Sequence, residues 1–199
     1  MADIYDTRSR IVIGKLKGKV VATAALVFHE YHDRLEVEEN EPWPKELPRR
    51  EDMVEIIRLC THPSYRGQDL LVSIFQFMAV TVTQARRHFV VMSCTKELVP
   101  LYKKIGMEAQ NIEYRHGKFG DAAHTVLLGN VRKAMSGSVV NPLVWNAVWA
   151  PATKYMIEKE ILELTPADRW RMTFYRLLGP VSLSLQARMK RPRHGEGAR

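Results

Sequence analysis

The sequence predicts a mixed α/β fold of the α+β kind: a mostly antiparallel sheet flanked by helices, with a helical appendage at its C-terminal end. Three observations predict it. Strand-like alternation around a Lys-Gly turn opens the chain, and an apolar run ending at Pro63 leads through a glycine turn into a helical pattern. After Asn130 the periodicity is helical throughout.

The elements follow in order. "RIVIGKLKGKVVATAALVF" reads as a β-hairpin: Ile11 and Ile13 alternate with polar neighbours, Lys17-Gly18 supplies the turn, and the second strand is the more apolar. A polar connection around Pro42, Pro44 and Pro48 follows, far longer than the usual roughly 4–6 residues, which marks it as a functional segment or a lid. "MVEIIRLCTH" is the third strand. "DLLVSIFQFMAVTVTQARRH" places Leu70, Ile74, Phe77, Met78 and Val82 at helical spacing behind Asp69, a suitable N-cap. "FVVMSC" is a short buried strand, "TKELVPLYKKIG" a helix closed by Gly106, and "MEAQNIEYRH" and "AAHTVLLGNV" two further strands. A strand, helix, strand sequence of this kind is a parallel crossover in an otherwise antiparallel sheet. Beyond Asn130, two helices are expected over residues 141–164 and 165–190, the second opened by Thr165-Pro166-Ala167-Asp168.

With 199 residues, 46% hydrophobic and 26% charged, the chain has an ordinary globular composition. Cys60 and Cys94 lie in apolar runs without metal-ligand or CxxC spacing, so they read as buried reduced thiols of a cytoplasmic protein. The opening "MADIYDTRSR" is too polar for a secretory signal, and no apolar run reaches the roughly 20 residues of a membrane span. The net charge of +8 favours an acidic partner, but part of it sits in the tail "ARMKRPRHGEGAR", expected to be disordered, so no nucleic-acid partner is expected. His29-Glu30-Tyr31-His32 lacks the spacing of a zinc helix, and no metal site is expected.

The stretch Cys60-Thr61-His62-Pro63-Ser64-Tyr65-Arg66-Gly67, the helix after it, "FVVMSC" and Leu101-Tyr102-Lys103-Lys104-Ile105-Gly106-Met107 together resemble the GNAT N-acyltransferase family. The resemblance runs from residue 10 to about residue 128, beginning at that family's second strand; only "MADIYDTRS" stands where its first strand and helices would be. The long insertion ending in Glu55-Ile56-Ile57-Arg58 is similar to the long-chain N-acyl amino acid synthases and, more distantly, the acyl-homoserine-lactone synthases, whose equivalent strand carries Glu-x-x-Arg. The resemblance implies an acyltransferase core over residues 1–130, a helical appendage over 131–190 and a basic tail over 191–199. It implies transfer of a fatty acyl group from acyl carrier protein, or from acyl-CoA, to the amine of an amino acid or similar small acceptor. The co-substrate is an acyl-phosphopantetheine thioester, and no tightly bound cofactor is expected.

The implied site residues each have a plainer alternative. Glu55 would assist deprotonation of the amine and Arg58 would orient a carboxylate, yet a structural ion pair would also account for both. Three residues apart on a regular strand they face opposite sides, and a bulge would change that. Tyr102 would protonate the leaving sulfur; the alternative is core packing. The backbone of Leu59, Cys60 and Thr61 would pair with the pantetheine amides. Arg66, Gly67 and Gln68 would hold the phosphate, but Asp69 and Leu71 occupy positions where the family's turn has small residues. A carboxylate there opposes a pyrophosphate at a helix N-terminus, which favours a carrier arm over free CoA. Arg66, Arg86, Arg87, Lys103 and Lys104 would offer a basic surface to an acidic carrier.

His62 and His124, near strand ends, are further candidate bases. The sheet face with Phe75, Phe77 and Met78 is the candidate acyl slot. In the appendage, Trp145, Trp149, Trp170, Phe174 and Tyr175 suit a core-facing stripe, or else a lid over the acyl chain or a peripheral membrane contact flanked by Arg169, Arg171 and Arg176. Two other functions fit the same residues: an acetyl-CoA-dependent GNAT acetyltransferase, and a non-catalytic module binding an acyl carrier or a membrane.

Overall fold

A computed structural model of the chain describes residues 4–65, 70–115 and 122–189, with residues 179–189 as backbone only. The hairpin forms as expected. Strands β1 (Ser9–Leu16) and β2 (Lys19–Phe28) join through Lys17 and Gly18, both at positive φ (48° and 78°), the geometry of a two-residue hairpin turn. β3 (Met53–Thr61), β4 (Phe89–Thr95), β5 (Met107–Arg115) and β6 (Ala123–Asn130) complete a six-stranded sheet in the order β1-β2-β3-β4-β6-β5. Every pairing is antiparallel except β3 with β4, which are linked by the crossover helix α1 (Leu70–Gln84).

Two irregularities in β3 shape the site. Its register against β2 passes from Ala25 opposite Ile57 to Thr23 opposite Cys60, so Arg58 and Leu59 together oppose Ala24. Arg58 occupies this bulge with φ at 54°. On the other side, β3 and β4 pair only from Met53 with Phe89 to Glu55 with Val91. Beyond that point the two strands diverge and leave a gap.

The sheet has two covered faces. α1 buries Ile74, Phe75, Met78, Ala79 and Val82 against Ala24, Leu26, Val54 and Ile56; Phe77 points away and is 57% exposed. Helix α2 (Val99–Lys104) begins after a turn at Thr95, carries Pro100 in its first turn and stops before Gly106, whose φ of 100° bars most other residues. The opposite face is covered by the long connection: Leu35 and Val37 pack with Met53, Val91 and Val126, and Tyr5 packs on Ala25, Val27 and Ile57.

The appendage is continuous with the first core. It comprises α3 (Val131–Met135), α4 (Pro142–Val144), a π-helical turn (Trp145–Trp149), α5 (Ala150–Glu158) and α6 (Pro166–Met189). The π turn is followed by Ala150 and then Pro151, which has no N–H to continue the α ladder. Trp145, Trp149, Met156 and Met172 join the same apolar cluster as the α1 face. Indole N–H groups fix this packing: Trp145 donates to the Met135 carbonyl at 2.7 Å and Trp149 to that of Ile105 at 3.1 Å. Thr165 and Asp168 cap α6 reciprocally, the Asp168 N–H reaching Thr165 Oγ1 at 3.2 Å and the Thr165 N–H reaching Asp168 Oδ2 at 3.1 Å. The aromatic stripe therefore divides: Trp145 and Trp149 are core, while Trp170 and Phe174 face outward.

Candidate active site

The gap between β3 and β4 opens into a cleft of about 200 Å³, lined by Glu55 to Leu59 of β3, Met92 to Thr95 of β4, Leu98 and Tyr102, with Glu36 and His124 at its sides. One wall is strand backbone with unused hydrogen-bonding capacity. The His62 N–H bonds to the Val21 carbonyl at 2.8 Å, and Cys60 stands opposite Thr23 in the same register. In an antiparallel ladder this turns the polar groups of Cys60 and His62 toward β2, and those of Leu59 and Thr61 toward the gap. Of the three backbone positions read from the sequence, Leu59 lines the cleft, Thr61 lies on the same strand edge beyond the lining, and Cys60 turns toward β2. The Cys60 side chain is exposed rather than buried, because the bulge shifts it past the covered part of the sheet.

Glu55 is 3% exposed and its carboxylate is already engaged. Oε2 accepts from His29 Nε2 at 2.9 Å and from the Glu36 N–H at 2.8 Å, while Oε1 accepts from the Val37 N–H at 3.2 Å. The two N–H groups belong to a 3-10 turn, Glu36–Glu39, so Glu55 ties the long connection to the sheet. Four lone-pair positions and three bonds leave one acceptor position, on Oε1. His29 is fully buried, and its Nδ1 has no partner among the described residues. The sequence reading passed over His29 as a ligand candidate and did not see it as a partner of Glu55. Its place directly after the buried strand β2 was the available signal.

The bulge brings Arg58 to the Glu55 side of the sheet, where its guanidinium pairs with Asp6 at 3.2 Å. Tyr102 sits on α2 with its ring edge-on to Phe75, 5.9 Å between centroids, and no group among the described residues hydrogen-bonds its hydroxyl. Burial, with a smaller contribution from nearby Cys94, pushes the Tyr102 phenol up to about 12. Burial likewise raises the Cys94 thiol to about 11, so Cys94 is a protonated apolar wall. His124 lines the cleft from β6, whereas His62 is exposed and its Nδ1 accepts from the Ser64 N–H at 3.3 Å. Arg66, Gly67, Gln68 and Asp69 lie outside the described residues.

Behind the cleft, on the α1 side, is a second, small apolar space of about 40 Å³, lined by Ile56, Phe75, Met78, Ala79, Val90, Met107 and Trp149 among others. Ile56 borders both spaces. Phe75 and Met78 stand where an acyl slot would need them, and Phe77 does not. The expected basic surface is not one surface. Arg86 and Arg87 follow the C-terminal end of the 15-residue α1, roughly 22 Å from the turn that precedes the helix, and Arg87 pairs with Glu30 at 2.8 Å. Lys103 and Lys104 are exposed on α2, next to the cleft. Among the described residues no cluster of three or more His, Cys, Asp or Glu is placed to hold a metal ion.

Solved structures of known proteins share the fold of this chain. The solved structure of MesI, a CoA-dependent acyl-homoserine lactone synthase, matches at a TM-score of 0.51 and 18% identity, over 65% of this chain and 66% of MesI. The chain thus spans just under two thirds of that protein's length. FeeM, an N-acyl amino acid synthase from uncultured soil microbes, matches at a TM-score of 0.49 and 10% identity over 67% of this chain and 78% of FeeM. Spermidine N-acetyltransferase SpeG from Vibrio cholerae matches at 0.48 and 13%, over 68% and 73%. No curated protein matches the sequence. The family model described as N-acyl amino acid synthase FeeM matches residues 1–129. On that match the chain belongs to the FeeM family of N-acyl amino acid synthases, an N-acyltransferase family with the GNAT fold.

Proposed function

We propose that this protein moves a fatty acyl group from a phosphopantetheine thioester to the amine of an amino acid or similar small acceptor. The observation that carries this reading is the junction at Ile56: a cleft with strand backbone on one wall meets a small apolar space under α1. An extended pantetheine arm adds to β3 as a further strand through Leu59 and Thr61, and the acyl chain continues past Ile56 toward the apolar space, displacing the α1 side chains that line it.

Transfer is direct. The amine nitrogen attacks the thioester carbonyl carbon, a tetrahedral intermediate forms, and the C–S bond breaks with its electron pair going to sulfur. The open Oε1 position of Glu55 receives the ammonium proton, directly or through water. A phenol near 12 does not surrender its proton to a thiolate whose acid titrates at about 8.5, so Tyr102 steadies the sulfur by donating a hydrogen bond. Arg58 orients the acceptor, whose carboxylate competes with Asp6 for the guanidinium. The sequence assigns the arm's phosphate to Arg66, Gly67 and Gln68. Asp69 in the same turn favours acyl carrier protein over acyl-CoA as donor, and Lys103 and Lys104 suit the carrier's acidic surface.

The test is native mass spectrometry of the purified chain, followed by addition of acyl-loaded carrier protein or matched acyl-CoA with a set of amino acids. An N-acyl amino acid formed as the thioester is consumed is the expected result. Carrier binding with the acyl group retained would replace the enzyme with a binding module. Acetylation of an amine from acetyl-CoA alone would make the chain an acetyltransferase.

A further inference from the structure

We infer that α6 is a membrane-surface helix, seating the protein on an anionic bilayer through Trp170, Phe174 and Leu177. These side chains are 77%, 58% and 72% exposed and stand at i, i+4 and i+7, so they form one stripe. The opposite face of the helix is fixed to the body. Met172 is buried, Asp168 pairs with Arg132 at 3.1 Å and Arg171 at 3.0 Å, and the Tyr175 hydroxyl donates to the Gly137 carbonyl at 3.1 Å. The stripe thus points outward from an anchored helix.

Charge identifies the occupant. Arg169 and Arg176 flank the stripe, both exposed and with no acidic partner among the described residues. From Arg169 to Gly195 the sequence has no Asp or Glu, while Arg169, Arg171, Arg176, Arg188, Lys190, Arg191 and Arg193 are basic. An apolar stripe with a Trp, bordered by arginines and free of acids, is the composition of a helix lying in the interface of an anionic bilayer. No helix among the described residues is long and apolar enough to cross a membrane. A second copy fits less well, because a two-fold contact would set Arg169 and Arg176 against their own copies with no acid between them. A carrier protein fits less well too: α6 packs on α4 and the π turn, and none of those residues lines the cleft that a carrier arm must enter.

The test mixes the whole chain with vesicles of phosphatidylglycerol and phosphatidylcholine in equal parts, and with phosphatidylcholine vesicles alone. The chain is expected to float with the anionic vesicles and its tryptophan emission to shift to the blue, since Trp145 and Trp149 are buried, Trp43 is half-buried and Trp170 is the most exposed of the four. Serine at Trp170, Phe174 and Leu177 together lowers binding about tenfold or more. Arg169→Gln with Arg176→Gln leaves the stripe intact and weakens the salt dependence. All three proteins should melt alike, because the altered side chains are exposed. Anionic binding that survives loss of the stripe overturns the inference. So does a dimer that the serine variant converts to monomer, or carrier binding that this variant abolishes. Acyl transfer between soluble substrates stays unchanged in the variant, so the result here is separate from the test of the transfer reaction.

Discussion

His29 and Glu55 form a buried pair, with 2.9 Å between Nε2 and Oε2, at the point where the long connection meets the sheet. The same carboxylate holds the Glu36 and Val37 N–H groups. Removing it strands a buried donor, a half-buried one and an imidazole at once. Glu55→Ala is therefore expected to cost roughly 3–5 kcal/mol, measured by urea unfolding. Hydrogen exchange should accelerate at Glu36 and Val37 before the rest of the sheet. A loss below about 1 kcal/mol would mean that the carboxylate does not hold the connection.

Arg58 separates backbone from chemistry. Its φ of 54° is a conformation that costs a non-glycine residue about 1 kcal/mol. Arg58→Gly removes that cost while giving up an exposed ion pair to Asp6, so stability should change by less than about 1 kcal/mol. Activity should fall through KM for the amino-acid acceptor, with kcat less affected. Unchanged kinetics would return Arg58 to a purely structural position.

Tyr102→Phe deletes a hydroxyl that has no hydrogen-bond partner among the described residues, so the melting temperature should hardly move. The donated bond to sulfur would be lost, and kcat should drop roughly tenfold to a hundredfold. Burial raises this phenol from 10.0 to about 12, so the unfolded chain releases the proton first as pH rises. The stability that comes from keeping it neutral is complete below pH 10 and is lost as pH approaches about 12. Tyr102→Phe should accordingly resist alkaline unfolding better than the parent. Equal alkaline midpoints would show that the ring is not desolvated.

Ala79 lines the apolar chamber and is otherwise buried. A leucine there in a filled core would cost about 1–3 kcal/mol by overpacking. The space of about 40 Å³ beside it takes only part of the added carbons, so Ala79→Leu should cost about 1–2 kcal/mol and shift the product distribution toward shorter acyl chains, read by mass spectrometry of the N-acyl products. An unchanged distribution would place the acyl chain elsewhere.

The hairpin, the crossover and the α6 cap were legible because each rests on local signals: Lys17-Gly18 for a turn, a strand and helix separated by a glycine turn, and Thr165 with Asp168 three residues on. The bulge at Arg58 was not, since it arises from how β3 fits β2 and leaves no residue signature. His29 was overlooked for a related reason, because its partner is 26 positions away and the pairing depends on strand register. The aromatic stripe misled in part. Trp145, Trp149 and Trp170 look alike in sequence, yet α6 is held by Asp168, Met172 and Tyr175, and that rotation puts Trp170 on the far side.

Asp168 gives the pH test of that attachment. Burial would raise its pKa, but hydrogen bonds from Thr165 and the guanidinium groups of Arg171 and Arg132 outweigh burial and hold it below the usual 3.8. A carboxyl depressed in the folded state stabilises above the unfolded value and loses that contribution as pH falls through the folded one. The stabilisation is thus complete above about pH 5 and fades below pH 4. Asp168→Asn should lower stability by roughly 1–2 kcal/mol at neutral pH, through the cap and the two ion pairs. The gap between the proteins, followed by thermal melting across acid pH, should close below about pH 4 as the parent protonates. A gap that widened in acid would reverse the sign of the assignment and detach α6 stability from this carboxylate.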